Sequence, residues 1–181
     1  MVKGCYPMKE QFFSLYVDAK IAERYFCLYI DKSVKYDNIV SSILLLTSAA
    51  TICSWAVWEI IPIFGAVIMA SAQVLGALRP QFKYSARVSV AKFLIPEMEF
   101  LLDDFANTWD KIGITESISE TEIWNLLCEY RKRFTEIKEK YASSELFPEN
   151  KEIHDKAQND AATYFSVKYD ADIKRSESHE Q

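Results

Sequence analysis

Residues 39–78 read IVSSILLLTSAATICSWAVW, then Glu59, then IIPIFGAVIMASAQVLGAL. Neither the run from Ile39 to Trp58 nor the run from Ile60 to Leu78 holds a charge. As an α-helix, each run of roughly 20 residues spans about 30 Å, the thickness of a bilayer's hydrocarbon core. A helix facing water keeps a polar stripe, and these runs have no charged position on any face. The join, Trp58-Glu59-Ile60-Ile61-Pro62, is short enough only for a tight antiparallel return. The pattern predicts a transmembrane helical hairpin over 39–78. It also fits two buried helices of a soluble bundle, because Ser, Thr and Ala dilute the first run.

The flanks favour the membrane. Trp55 and Trp58 sit together at one end, as in an interfacial aromatic belt. Lys32 and Lys35 precede the first run, Arg79, Lys83, Arg87 and Lys92 follow the second, and the turn has no Lys or Arg. The positive-inside rule then puts both termini in the cytoplasm and Glu59 outside. Trp55, Trp58, Lys32, Lys35, Arg79 and Lys83 are the expected interface anchors.

The rest of the chain reads as helices. Four glycines and five prolines in 181 residues leave few turn signals. A net charge of −5 and a pI near 5.2 do not suggest a nucleic-acid surface. Cys5, Cys27, Cys53 and Cys128 lack metal-ligand or disulfide-framework spacing and fit a reducing cytosol. Lys9, Glu10, Asp18 and Lys20 interrupt any signal-peptide core, so the hairpin itself is the expected insertion signal.

Four regions follow: an N-terminal cytosolic amphipathic helix (1–38), the hairpin (39–78), a cytosolic helical region (79–169) and a disordered tail (170–181). In the first, Phe12, Leu15, Tyr16, Ala19, Ala22, Phe26, Tyr29 and Ile30 share one helical face. Packing on neighbouring helices and lying on lipid headgroups both fit that face. Asp37-Asn38 either breaks this helix from the first span or is absorbed in a continuous one. Apolar positions from Phe82 to Ile112 keep helical spacing, with Pro96 expected to kink or break the run. Ser119-Glu120-Thr121-Glu122 is a capping-box pattern opening another helix, with Glu129–Arg133 and Glu136–Lys140 as i,i+4 pairs along it. Pro148 suits the start of a last helix to about residue 169. The expected class is all-α: a membrane helical hairpin of two transmembrane helices with a cytosolic bundle of long helices.

No catalytic constellation emerges, and no enzyme activity or cofactor is expected. There is no glycine-rich phosphate loop and no nucleophile elbow; His154 and His179 stand outside any metal-ligand pattern. The chemistry lies in the hairpin. Gln73 is a lone amide near the middle of the second run, and in hydrocarbon it needs another helix or water as partner. Ala66, Ala70, Gln73 and Ala77 share a face, with Gly65, Ala72 and Gly76 in a small-residue seam beside it. Such a seam either packs one arm of the hairpin on the other or lets copies associate around a lumen. In an oligomer, Glu59 would ring the outer mouth, and such rings favour cations.

The order of cytosolic helix, tight apolar hairpin and long helical extension over residues 8–141 resembles the SLATT family. It also resembles the two-transmembrane-helix effectors of bacterial anti-phage systems, including retrons. The resemblance implies an inner-membrane protein that oligomerises and permeabilises the bilayer when a partner sensor triggers or releases it. It rests on layout and transfers no functional residue. Trp58-Glu59-Ile60-Ile61-Pro62 also resembles the acidic turn of mitochondrial calcium uniporters, but lacks the second acid and is one residue shorter.

The expectation is an effector of abortive infection whose partners are the lipid bilayer, further copies of itself and a cytosolic regulator. That regulator is a protein, a nucleotide or a ribonucleoprotein. The alternatives are a non-conducting membrane-anchored scaffold and a soluble all-helical interaction protein.

Overall fold

The apolar face that starts at Phe12 and the first uncharged run belong to one helix, α1 (Met8–Cys53), which passes through Asp37-Asn38 without a break. The computed structural model describes residues 8–53, 62–78, 83–114, 118–143 and 145–179. The described residues form four further helices, α2 (Pro62–Leu78), α3 (Tyr84–Ile114), α4 (Glu120–Tyr141) and α5 (Lys151–His179), and no strand. The fold class is all-α.

The chain divides into two units, one of Met1–Tyr29 with Val90–Gln181 and one of Ile30–Ser89. The first is a helical bundle. Its core takes Phe12, Leu15, Tyr16 and Ala19 from α1, Leu101, Leu102, Phe105 and Ile112 from α3, Ile123, Leu127 and Tyr130 from α4, and Phe165 from α5. Aromatic rings dominate it. Phe105 lies 5.4 Å from Phe12, 5.4 Å from Tyr16 and 4.5 Å from Tyr130, centroid to centroid. Burial, then the nearby Tyr164 hydroxyl, pushes the Tyr16 phenol far above its ordinary pKa.

Polar contacts fix how α3 and α4 meet. Arg133 donates to the Asp104 carboxylate at 2.8 Å and Lys140 to Glu97 at 2.9 Å. Numbers rising on one helix and falling on the other make the pair antiparallel. Arg133 and Lys140 therefore reach across to α3, away from the expected Glu129 and Glu136; Glu136 meets Lys132 at 3.9 Å instead. The Tyr141 hydroxyl also donates to Glu97 at 2.6 Å, and these two donors, Tyr141 first, hold the Glu97 carboxyl below its ordinary 4.5. A depressed folded-state pKa adds stability that is present above the unfolded value and lost as pH falls through the folded one. Glu97→Gln should therefore lower the bundle's melting temperature slightly near neutral pH, and the difference should vanish once the pH has fallen through the folded-state value. Parallel melts at neutral and acid pH check this.

Helix ends follow the sequence where capping dictates them. The Ser119 hydroxyl accepts from the Glu122 N–H at 3.2 Å, and Glu122 accepts in return from the Ser119 N–H at 3.4 Å. Ser119→Ala should cost about 0.5–2 kcal/mol of bundle stability, read from denaturant unfolding. Pro62 opens α2, where its missing N–H costs nothing. Lys83, just ahead of α3, has φ 50°, and its carbonyl accepts the Arg87 N–H at 3.0 Å.

The structure bears on three of these expectations. Pro96 does not break α3, which stays helical on both sides of it because Ala91, Leu94, Met98 and Leu101 are all buried. Beyond Asp170, where the sequence reading began its tail, α5 is drawn on to His179. Among the described residues no helix is long and apolar enough to cross a membrane. The reason is length: α2 has 17 residues, about 25 Å, and the apolar end of α1, Ile39–Cys53, is about 23 Å. The remainder of the two uncharged runs, residues 54–61, lies outside the described residues.

Candidate functional site

α2 owes its surface to having no charged residue. Ala70, Gln73, Val74, Gly76 and Ala77 are exposed and Ala72 is half-buried. Ala70, Gln73 and Ala77 follow one another at three- and four-residue steps and so share a face. A Cβ placed on Gly76 would meet nothing within 4 Å, so no described residue fills the small-residue seam there. Gln73 forms no hydrogen bond among the described residues, whereas the Ser71 hydroxyl is satisfied inside the helix by donating to the Val67 carbonyl at 2.8 Å. The face is thus a strip of small side chains with one exposed amide. Ala66 falls on α2, with its side-chain surroundings outside the described residues.

The same unit exposes large apolar side chains. Leu45 and Leu46 are 72% and 70% accessible, Val67 and Val74 60% and 58%, and Ile39 and Ile43 are exposed as well. The bundle unit, in contrast, turns most of its large apolar side chains inward; Phe93, Phe100, Trp124 and Val167 are its exposed exceptions among the described residues.

Of the expected anchors, Lys35 and Lys83 are exposed and Lys32 is half-buried. Trp55, Trp58, Glu59 and Arg79 lie outside the described residues, so the belt and the acidic turn have no described geometry. Among the described residues no group of His, Cys, Asp and Glu is arranged to hold a metal ion. The chain matches no protein-family model, no curated protein and no solved structure.

One polar residue of the bundle escapes a reading by composition. Glu23 is only 4% accessible, with its carboxylate 2.7 Å from the Lys20 ammonium and accepting from the Cys27 thiol at 3.3 Å. The signal was present: positions 16, 19, 23, 26 and 30 form one helical stripe, and Glu23 occupies its middle. Lys20 also lies over the Tyr164 ring at 4.6 Å, so the buried charge pair is held from α5 as well.

Proposed function

We propose that the chain is a membrane-active effector, with Ile39–Leu78 entering the bilayer, copies associating along the open strip of α2, and the helical bundle carrying the regulated end. The large apolar side chains left in water by the unit Ile30–Ser89 carry the proposal. Removing a Leu, Ile or Val side chain from water is worth about 1.5–3 kcal/mol, so the six named above represent a drive on the order of 5–10 kcal/mol toward an apolar partner, allowing for partial exposure. Lipid is such a partner over every face at once, and the uncharged runs 39–58 and 60–78 match its thickness. Gln73 then supplies specificity, because its amide in hydrocarbon is satisfied best by a second copy or by water in a lumen. Both termini would face the cytoplasm of a bacterial cell, with no catalytic step involved.

The test is expression without any regulator. Cells should depolarise, admit an impermeant dye and stop growing, and the purified chain should conduct in planar bilayers. Gln73→Leu should keep membrane insertion and weaken permeabilisation, since it removes an interhelical hydrogen bond or lumen group worth about 0.6–2 kcal/mol. A membrane-inserted chain that never conducts would leave only a scaffold.

A further inference from the structure

The bundle holds a pocket of about 670 Å³ that the effector activity does not use. All its walls belong to the bundle unit, from α1, the end of α4, the segment joining α4 to α5, and the start of α5. Its volume falls in the usual range for small-molecule sites, about 300–1,000 Å³. Ile21, Phe26, Phe134 and Phe147 give it apolar walls. Phe147 is fixed by two rings of α1, with its centroid 5.2 Å from Phe26 and 5.6 Å from Tyr29.

Tyr25 decides the chemistry. Its hydroxyl donates to the Pro148 carbonyl at 3.0 Å and accepts the Asn150 N–H at 3.2 Å. The phenol oxygen is therefore used in holding the segment before α5. Asn150 in turn caps α5 by accepting the Ile153 N–H at 3.1 Å. With its oxygen so engaged, Tyr25 adds to the pocket wall an aromatic ring pinned at one end, and aromatic rings attract cations through their faces.

The charges on the wall point the same way. Asp18 and Glu149 both line the pocket, and neither makes an ion pair within 4 Å among the described residues. Lys138 is the one cation on the wall and His154 the one imidazole, the latter edge-on to Tyr25 at 6.3 Å. Two carboxylates share the wall with one ammonium, which already acts on Asp18, and an anionic ligand would meet the remaining negative charge of Glu149.

We propose that this pocket binds an organic cation, an ammonium group carried on an aromatic or branched apolar body. The body fills the space between Phe26, Phe134 and Phe147, and the ammonium lies against the Tyr25 ring between Asp18 and Glu149. The proposal stands on the bundle alone and does not depend on membrane activity.

The probe is benzyltrimethylammonium, titrated against the full chain in detergent, with phenylacetate as an anion of similar size and shape. Saturation-transfer NMR reads both affinities. The cation should bind at least about tenfold more tightly than the anion. In the near-isosteric double variant Asp18→Asn/Glu149→Gln that preference should shrink to about twofold or less. Phenylacetate binding as tightly as the cation would overturn the proposal, as would no cation binding up to the solubility limit. A folded double variant that keeps the full preference would do the same. The comparison of the two probes on the unaltered protein decides the matter even where the double variant fails to fold.

Discussion

Phe105→Ala will lower the unfolding free energy of the bundle by about 3–5 kcal/mol, the cost of deleting a fully buried ring from a close-packed core. Phe105 has no accessible surface and touches rings from two other helices, Phe12 and Tyr16 on α1 and Tyr130 on α4. Those neighbours are large and fixed by one another. Phe12 also stacks on Trp109 at 6.5 Å, and Tyr130 exchanges a 2.7 Å hydrogen bond with Thr108. The site therefore collapses little around the alanine, and the cavity term stays large. At about 2–4 °C per kcal/mol for a chain of this size, the melting temperature should fall by roughly 6–20 °C. Thermal unfolding followed by near-ultraviolet circular dichroism, which follows the rings, is the measurement. A fall of under about 2 °C would mean that the core is not built around this ring.

Ala70→Arg should move the protein off membranes by about a hundredfold. Arginine near the middle of a span costs about 2.5–3.5 kcal/mol on insertion scales, and 1.4 kcal/mol is a factor of ten. The structure makes the test clean, because Ala70 is exposed on α2. Without a bilayer, an exposed substitution changes stability by no more than about 0.5 kcal/mol, so the bundle's melting should not move. Ala70→Leu, which adds bulk without charge, should stay with the membrane fraction. The readout is partition between membrane pellet and carbonate wash. Equal partition of Ala70→Arg and the unaltered chain, or recovery of the unaltered chain in the wash, refutes membrane insertion.

Much of the bundle was legible because periodicity and burial report the same physics. The stripe read from Phe12 to Ile30 is the face that α1 buries, apart from half-buried Ala22 and Tyr29, and Ile153, Ala157, Ala161 and Phe165 are the buried side of α5. The capping box at Ser119 was legible because it is wholly local. Spacing failed where the outcome depends on a distant partner. Phe93 fits the apolar spacing of α3 and yet is exposed, since its neighbours Ala91 and Leu94 take the buried side. Arg133 and Lys140 had acids one turn away, but antiparallel packing offered Asp104 and Glu97 within 2.8 and 2.9 Å. The small-residue strip on α2 was readable from one helix alone. The pocket beside Tyr25 was not, because Tyr25 and the segment around Glu149 are brought together by hydrogen bonds spanning more than a hundred residues.

The bundle is made from two stretches of chain with Ile30–Ser89 between them. On the ribosome this imposes a waiting period. Phe12 and Tyr16 emerge first, but their partner Phe105 follows about 90 residues later, and Phe165, which also meets Tyr16, later still. At roughly 5–20 residues per second, α1 waits on the order of 5–20 s with its rings unpaired. The uncharged run from Ile39 is synthesised during that interval, before α3 exists. Synthesis therefore presents the apolar segment to its surroundings while the bundle is still open. A factor that shields the first thirty residues during those seconds should raise the yield of correctly closed protein, because exposed apolar surface on an unfinished chain is prone to aggregate.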